Sequence, residues 1–288
     1  MSSPAPTTSR RTLLGGALAT VLTLGAGCGC GRPSRSQPAT VADLRKADPF
    51  YIAHRGGGRN WPEMTSYAYQ RAAEIPGLDA MEVSVCVSAD GVLVCSHDPT
   101  TKRVSGIDYT IAAESWATLS TVMVKADETT DPGQPARPLT RFDTVAEEFL
   151  DRYVLFTEPK VEPAAQPLFD ALKRSRQAER VVWKQYVNSA WFDAAKQAGF
   201  GTWGYVLNQP SHTGANLDAL AAKPSIDMLG APLEESDEFV RTVAQAAARN
   251  DKPAIAWPVR SDEDRRRALA LGCSGLMTSA IADVRPSC

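Results

Sequence analysis

Residues 181–207 read VVWKQYVNSAWFDAAKQAGFGTWGYVL and contain one complete strand–helix–strand unit. Runs rich in β-branched and aromatic residues, at 181–184 and 201–207, flank a stretch at 189–197 whose apolar residues recur three and four positions apart. The first pattern favours a strand and the second an amphipathic helix. This order predicts two parallel strands that are joined by a crossover helix.

The same alternation continues from residue 48 onward. The predicted strands are 51–54, 79–87, 92–97, 153–158, 181–184, 201–207, 226–229, 254–257 and 275–278. The predicted helices are 63–74, 164–176, 189–197, 235–249 and 262–271. About eight strand–helix units in roughly 240 residues fit the size of an α/β protein built as a (β/α)8 TIM barrel. We therefore predict one barrel domain over residues 48–288.

An open, doubly wound parallel sheet is the structural alternative. Such a sheet binds a dinucleotide at a glycine-rich turn that follows a strand. Residues 54–58, His-Arg-Gly-Gly-Gly, follow a predicted strand but lack the Gly-x-Gly-x-x-Gly spacing. The spacing therefore favours the barrel over a dinucleotide-binding sheet.

Residues 108–143 interrupt the alternation and include the turn-rich run Thr-Thr-Asp-Pro-Gly-Gln-Pro at 129–135. We interpret this segment as an insertion on the catalytic face, where a lid would lie. In that position it would help to select the substrate.

The composition limits the class of partner. The chain of 288 residues has 43% hydrophobic and 22% charged residues, which is typical of a globular protein. It carries 31 Lys and Arg against 33 Asp and Glu, for a formal net charge of −2. A nucleic-acid-binding surface needs a basic excess, so we predict no nucleic-acid partner.

Residues 1–28 have the anatomy of an export signal. Arg10 and Arg11 precede an apolar run over 12–26, and the pair resembles a twin-arginine signal, with an ordinary secretory signal as the alternative. The run ends close to Cys28, in a sequence that resembles a lipoprotein cleavage box although Leu24 stands one position too far away. We predict an exported, extracellular or cell-envelope protein with a linker over 29–47. A lipid on Cys28 would be its only membrane contact, and free secretion is the alternative.

Four cysteines lie in the predicted domain: Cys86, Cys95, Cys273 and Cys288. Exported proteins can form disulfides. The spacing of Cys86 and Cys95 around Asp90-Gly91 suggests a bridge across a hairpin, and the other two would then pair. No Cys-x-x-Cys unit is present, which argues against a zinc site.

Two of the three histidines end predicted strands. His54 follows Phe50-Tyr51-Ile52-Ala53, and His97 follows residues 92–96. The carboxyl ends of barrel strands form the active-site face, so this pair is suited to act as a general acid and a general base. The alternative is that both are structural. We interpret His212, in a loop after Pro210, as a surface residue.

Glu82 and Glu158 fall within or at the end of predicted buried strands. A buried carboxylate is costly unless it is paired or bound to a metal. Period-two alternation places Glu82 and Ser84 on one face of their strand, and Glu158 and Lys160 on one face of theirs. The functional interpretation is a site for a hard cation with oxygen ligands. The alternative is a structural ion pair between Glu158 and Lys160.

These motifs together resemble the glycerophosphodiester phosphodiesterase family. The resemblance rests on His54-Arg55-Gly56 with Pro62-Glu63, on Asp90-Gly91 leading to His97-Asp98-Pro99-Thr100, on Glu158 with Lys160, and on Ala256-Trp257 with the strand at 275–278. It extends from about residue 51 to residue 278. It implies a TIM barrel that hydrolyses small-molecule glycerophosphodiesters to glycerol 3-phosphate and an alcohol, usually with a divalent cation.

The resemblance also implies residue roles. These are acid/base catalysis for His54 and His97, phosphate binding for Arg55 and Lys160, and binding of Ca²⁺ or Mg²⁺ for Glu82 and Glu158. Glu63, Ser84 and Asp98 would support the site. Trp257 would contact the substrate, and Trp61 and Trp203 are further candidates for the pocket wall.

The chain departs from the family pattern mainly around the cation. Ser84 stands where the family has Asp, which removes one charged ligand. Ser279 stands where the last strand usually has Asp, and Met64 stands where Asn is usual. Lys184 ends a predicted strand; we interpret it as a solvated lysine, with the alternative that its ammonium enters the barrel mouth and partly replaces the charge of a metal.

A phosphodiester hydrolase is the first functional prediction, because a binding protein needs neither an acid nor a base. A non-catalytic exported phosphate-ester-binding protein on the same fold is the alternative, owing to Ser84. A lyase similar to sphingomyelinase D would share the barrel and the histidine pair, but its motifs match less well.

Overall fold

The structure is a computed structural model that describes residues 1–2, 39–126 and 133–284. Nearly all of the predicted signal peptide, including Cys28, lies outside the described residues. So do residues 29–38 of the predicted linker, residues 127–132 of the predicted insertion, and Cys288.

The strands are β1 (Phe50–Ala53), β2 (Ala80–Val87), β3 (Leu93–Cys95), β4 (Met123–Val124), β5 (Arg137–Pro138), β6 (Val154–Pro159), β7 (Val181–Tyr186), β8 (Gly201–Tyr205), β9 (Met228–Pro232), β10 (Ala254–Val259) and β11 (Gly275–Thr278). The parallel strands β1, β2 and β6 to β11 pair in chain order, and β11 pairs with β1. The first and last strands therefore close a (β/α)8 TIM barrel. This closure confirms the predicted fold and excludes the open sheet.

The helices are α1 (Val41–Leu44), α2 (Ser66–Ala73), α3 (Lys102–Ser105), α4 (Trp116–Leu119), α5 (Phe142–Phe149), α6 (Glu162–Arg174), α7 (Phe192–Gln197), α8 (Gly214–Ala221), α9 (Asp237–Ala248) and α10 (Asp262–Ala270). At least one helix lies between each successive pair of barrel strands, as α6 does between β6 and β7, and three helices, α3 to α5, lie between β2 and β6. The prediction missed α5 and α8, and it missed the four-residue helices α1, α3 and α4. No helix formed by residues 39–126 or 133–284 is long and apolar enough to cross a membrane.

The barrel interior is apolar at the end where the strands begin. Phe50, Phe156 and Trp203 lie in one buried cluster with Val41 and Leu44 of α1. The contact between α1 and β8 is close, because a Cβ on Gly201 would lie 2.5 Å from a methyl carbon of Val41. Part of the range predicted as a linker is therefore folded and packs against this end of the barrel.

The predicted strand 92–97 is not a barrel strand. β3 pairs antiparallel with β2, because the turn between them is too short for the crossover that parallel strands need. The excursion from the barrel starts at this hairpin, earlier than the predicted residue 108, and has its own small core that includes Ile111, Leu119 and Val122. The antiparallel direction brings the chain back toward the barrel mouth, where the backbone N–H of Ser96 donates to the carbonyl of Ser84 at 3.0 Å.

The predicted Cys86–Cys95 disulfide is wrong. In the β2–β3 register, Cys86 pairs with Val94 and Cys95 pairs with Val85. The two cysteines are therefore offset by one position, and their side chains point to opposite faces of the hairpin. Cys86, Cys95 and Cys273 are all free and buried. Burial raises the pKa of the Cys86 thiol to about 12. The suggested partner of Cys273 lies outside the described residues.

Candidate active site

A cavity of about 360 Å³ opens at the carboxyl ends of the barrel strands. Seven of the residues selected from the sequence line it: His54, Arg55, Glu63, His97, Glu158, Lys160 and Trp257. Glu82, Ser84 and Asp98 lie behind this lining and form hydrogen bonds to it. The described parts of residues 108–143 do not line the cavity. Arg103 of α3 does line it, so the excursion that follows β3 reaches the site at a position before the predicted insertion.

His54 and Arg55 lie in a tight turn directly after β1. Arg55 has a positive φ of 55°, which is strained for a residue with a side chain. Its backbone N–H donates to Glu82 Oε2 at 2.9 Å, so a buried carboxylate holds the turn in place. The Nε of Arg55 is buried and has no hydrogen-bond partner among the described residues. The guanidinium group of Arg55 lines the cavity, where it offers positive charge to an anionic ligand.

His54 is held against the last strand of the barrel. Its Nδ1 lies 2.7 Å from the hydroxyl of Ser279, which directly follows β11. Burial, together with the nearby charge of Arg55, lowers the pKa of His54 well below its usual value. The imidazole is therefore neutral near pH 7 and able to accept a proton.

His97 is oriented by a carboxylate. Its Nδ1 lies 2.7 Å from Asp98 Oδ1, and its Nε2 lies 3.4 Å from Lys160 Nζ in the cavity. Burial and the charges of Arg55 and Lys160 lower the pKa of His97, although the hydrogen bond to Asp98 opposes them. Asp98 also pairs with Arg103 at 2.5 Å. An acidic partner on Nδ1 fixes the ring and stabilises its protonated form.

The centre of the mouth holds two carboxylates and two ammonium groups, which we name the mouth cluster: Glu82, Glu158, Lys160 and Lys184. Lys184 Nζ lies 2.8 Å from Glu82 Oε1 and 2.8 Å from Glu158 Oε2. Lys160 Nζ lies 3.2 Å from Glu158 Oε1. Lys184 is only 5% exposed, so its interpretation as a solvated residue is wrong and the alternative, an ammonium in the barrel mouth, is correct.

The strand registers bring this cluster together. Ser84 of β2 pairs with Glu158 of β6, and Lys184 of β7 pairs with Trp203 of β8. The hydroxyl of Ser84 donates to Glu82 at 2.9 Å and lies 3.4 Å from Glu158. Burial alone would raise the pKa of each carboxyl group, but the adjacent Lys184 holds both pKa values below their usual range. The two glutamates are therefore ionised.

The mouth cluster does not fit a divalent metal between Glu82 and Glu158. All four carboxylate oxygens already have protein partners, and Lys184 Nζ occupies the position between the two groups. A metal there would have to expel a buried ammonium. The described part of the chain also has no group of three or more His, Cys, Asp or Glu side chains arranged to hold a metal ion.

Arginines form the rim on the side of His97. Glu63 lies 3.2 Å from Arg55 Nη1 and 2.6 Å from Arg103 Nη2, so it holds both guanidinium groups beside the cavity. Arg103 was not among the residues predicted from the sequence, because a basic residue in an irregular excursion carries no periodic signal.

Aromatic rings form the opposite wall. Trp257 contacts Tyr205 with ring centroids 5.7 Å apart, and the Tyr205 hydroxyl donates to Glu158 Oε1 at 3.2 Å. Trp203 lies beneath both rings and is fully buried, and Trp61 packs in the core outside the barrel. Of the three tryptophans, Trp257 is the one that lines the cavity. Tyr205 was missed, although it stands two residues after Trp203 on the same face of β8.

His212 is not a surface residue. It is 1% exposed, its Nδ1 lies 2.8 Å from the carbonyl oxygen of Leu207, and its Nε2 lies 3.0 Å from the hydroxyl of Tyr186. The 3₁₀ turn that contains it folds back onto β7 and buries the ring. Its partners assign it a structural role in the loop after β8.

Comparisons with known proteins identify relatives of this chain. Residues 54–282 match the model of the glycerophosphoryl diester phosphodiesterase family. A glycerophosphodiester phosphodiesterase from Caldanaerobacter subterraneus is 24% identical over 236 residues, which cover 79% of this chain and 92% of that protein. A glycerophosphodiester phosphodiesterase from Arabidopsis thaliana is 44% identical over 66 residues, which are 23% of this chain and only 18% of the relative.

Solved structures share the fold. A glycerophosphodiester phosphodiesterase from Thermotoga maritima superposes with a TM-score of 0.64 at 21% identity, over 81% of this chain and 95% of that one. An Oleispira antarctica phosphodiesterase in complex with the product sn-glycerol-3-phosphate superposes with a TM-score of 0.63 at 19% identity, over 82% and 95% of the two chains. At these identities the likeness establishes the barrel.

Proposed function

This chain belongs to the glycerophosphoryl diester phosphodiesterase family, and from that premise we propose that it hydrolyses glycerophosphodiesters to glycerol 3-phosphate and an alcohol. The observation that carries the proposal is that His54 and His97 line one cavity together with Arg55 and Lys160. A phosphodiester resists attack because its oxygens are anionic, and cationic side chains offset that charge. Two imidazoles at the same cavity supply both proton transfers that the hydrolysis needs.

The surroundings of the two rings suggest how they divide the work. The pKa of His54 is lowered strongly by burial, which suits a base that must be neutral before the reaction. His97 has a carboxylate on its Nδ1, which stabilises an imidazolium and suits the acid that protonates the leaving alkoxide. The bound phosphate brings a negative charge and favours the protonated form of the nearby His97.

The test is an assay of glycerophosphocholine hydrolysis by residues 41–288, in which released choline and glycerol 3-phosphate are both measured. Turnover that is lost in His54→Ala and in His97→Ala supports the proposal. Exposed Arg71, outside the cavity, provides the control Arg71→Ala, which should match the wild type. Absence of turnover by the folded wild type would contradict the proposed reaction for this substrate.

A non-catalytic phosphate-ester-binding protein is the second candidate. The observation that favours it is the Lys184 ammonium between the carboxylates, where catalysis by a bound metal would need an open position. Calorimetry separates the two candidates: saturable binding of glycerophosphocholine without any release of choline would favour the binding protein.

We also propose that the protein is exported and carries a lipid on Cys28. The proposal rests on Arg10, Arg11 and the apolar run that precedes Cys28. Expression of the full chain beside Cys28→Ser tests it: the wild type should partition into the detergent phase and the variant into the aqueous phase. Equal partitioning of both would contradict the lipid anchor.

A further inference from the structure

Lys184, which the sequence predicted to be a solvated residue, has a central position in the structure. Its ammonium lies 2.8 Å from one oxygen of Glu82 and 2.8 Å from one oxygen of Glu158, on the floor of the cavity that holds both histidines. Building on the proposed function, we propose that Lys184 is the fixed cation of this active site and that the chain hydrolyses its phosphodiester without a divalent metal.

The carboxylate oxygens of the mouth cluster already accept hydrogen bonds from protein groups. Glu82 Oε2 accepts from the backbone N–H of Arg55, and its Oε1 accepts from Lys184 and Ser84. Glu158 Oε1 accepts from Lys160 and Tyr205, and its Oε2 pairs with Lys184. A hard cation binds through several carboxylate oxygens at once. Glu82 Oε1 and Glu158 Oε1 each accept from two protein donors, so an ion there would have to replace a donor, and an ion between the two carboxylates would have to replace Lys184.

The charges of the mouth cluster already balance without a metal ion. Two carboxylates face two ammonium groups, so the mouth cluster is neutral as built. A divalent ion bound in addition would place excess positive charge among groups separated by only a few ångströms, where like charges repel strongly. Expulsion of Lys184 is opposed by its ion pairs with Glu82 and Glu158 and by its position over the ring of Trp203, with the ammonium 5.4 Å from the ring centroid.

An ammonium group in this position can act directly on the substrate. It has three N–H donors, and the two carboxylates use two of them. Because Lys184 also lines the cavity, the third donor is available to a phosphoryl oxygen. Together with Lys160 and Arg55 it would offset the negative charge that develops on the phosphoryl group in the transition state.

The reaction balances without a metal. The oxygen of the nucleophile, a substrate hydroxyl or water, forms a bond to phosphorus and loses its proton to His54. The bond between phosphorus and the leaving alcohol breaks, and the alcohol oxygen takes the proton of His97. Where a substrate hydroxyl is the nucleophile, this step leaves a cyclic phosphate. Water then opens that ring to glycerol 3-phosphate, with His97 taking the proton of the water and His54 returning its proton to the ring oxygen that leaves. Lys184 stays protonated throughout, because its two carboxylate partners raise its pKa against the effect of burial.

The first experiment uses the wild-type chain and needs no variant. Protein freed of metal on a chelating resin is assayed with glycerophosphocholine in EDTA, in Ca²⁺ and in Mg²⁺, and the same preparation is titrated with Mn²⁺ by electron paramagnetic resonance. We expect turnover in EDTA that neither metal raises, and no bound Mn²⁺ up to about 1 mM, the weak end of protein cation sites. Turnover that is lost in EDTA and restored by a metal would overturn the inference.

The second experiment restores a metal site. Ser84→Asp combined with Lys184→Gln adds a carboxylate and removes the ammonium, so the double variant should bind Mn²⁺ and show turnover that depends on added metal. Lys184→Met alone should lower turnover in EDTA about 10²-fold, the usual effect of deleting one preorganised donor. Unchanged turnover of a folded Lys184→Met would contradict the inference.

Lys196 supplies the matched control. Its ammonium pairs with the buried carboxylate of Asp227 at 2.8 Å, outside the cavity. Lys196→Met should leave turnover unchanged and bind no Mn²⁺. The outcomes also separate the two proposals: metal-dependent turnover refutes the role of Lys184 and leaves the hydrolase standing. Absence of turnover under every condition refutes the hydrolase, while the Mn²⁺ titration still reports whether the carboxylates accept a metal.

Discussion

The barrel has a carboxylate–ammonium cluster at each end, and the two clusters are built differently. At the mouth, the Lys184 ammonium is buried between Glu82 and Glu158 and borders the cavity. At the other end, Asp227 precedes β9 and receives Lys196 at 2.8 Å and Arg45 at 3.3 Å. Those two cations have side chains that are 36% and 34% exposed, so solvent screens them.

The two clusters also differ in the backbone groups that their carboxylates bind. Asp227 accepts the backbone N–H of Thr202 at 3.0 Å, and so joins the start of β8 to the loop before β9. Glu82 accepts the backbone N–H of Arg55, a residue with a strained positive φ beside the cavity. One carboxylate supports regular strands, and the other supports a turn that presents the Arg55 side chain to the cavity. We name the group of Asp227, Lys196 and Arg45 the lower cluster. The difference in contacts suggests that the lower cluster serves stability and that the mouth cluster serves function.

The largest effect should come from the histidines that border the mouth cluster. We expect His97→Ala to lower kcat/KM by about 10²–10⁴-fold, because general acid catalysis is lost. The melting temperature should stay close to that of the wild type, since the ring is not part of the apolar core. Steady-state kinetics and thermal melts measure the two effects. Retained activity in a folded His97→Ala would remove His97 from the mechanism.

A smaller effect on rate, with a loss of stability, should follow Glu82→Gln. The change leaves the buried Lys184 with one carboxylate instead of two and weakens the acceptor of the Arg55 turn. Breaking a buried pair typically costs about 3–5 kcal/mol, so we expect the free energy of unfolding to fall by about that amount. Urea denaturation and kinetics on the folded fraction measure the two effects. A variant as stable and active as the wild type would show that the mouth cluster is dispensable.

The Glu82→Gln prediction rests on a contact that the sequence alone could not supply. Regular alternation predicted the barrel, because strand and helix periods are local properties. Lys184 and Glu82 are 102 residues apart, and only the register of β2, β6 and β7 brings them within 2.8 Å. The same limit explains the wrong disulfide: a register offset of one residue separates Cys86 from Cys95.

The site itself was predictable where a motif and a strand end coincide. His54, Arg55, His97, Glu158 and Lys160 all follow or end strands, and the structure places them at one cavity. Arg103 and Ser279 were not assigned to the site, because they reach it through an irregular excursion and the closure of the barrel. The burial of His212 depends on how its loop folds back, which hydrophobic periodicity does not encode.

The lower cluster should show the opposite balance, with stability lost and activity kept. Asp227→Ala leaves the buried N–H of Thr202 without its carboxylate acceptor, and such a loss costs about 1–3 kcal/mol. We expect that decrease in the free energy of unfolding, measured in urea, with kcat/KM of the folded protein unchanged. Arg71→Ala, on an exposed helix, is the control for both measurements. A large loss of kcat/KM in Asp227→Ala would contradict the assignment of a stability role to the lower cluster and of a functional role to the mouth cluster.

The smallest effect concerns the pH dependence of kcat/KM, which reports the pKa values of the free enzyme. The pKa values of both His54 and His97 lie below the usual 6.5. With His54 as the base, activity should fall when acid protonates it; with His97 as the acid, activity should fall when alkali deprotonates it. We therefore expect a bell-shaped profile whose maximum lies below pH 6.5.

Asp98→Asn tests which limb belongs to His97. The carboxylate raises the pKa of His97 through its hydrogen bond to Nδ1, so its removal lowers that pKa. The alkaline limb should then move to lower pH while the acidic limb, set by His54, stays in place. Movement of the acidic limb instead would reverse the assignment of acid and base. A shift confined to one limb would show that the two rings, although they share one cavity, are tuned by separate partners.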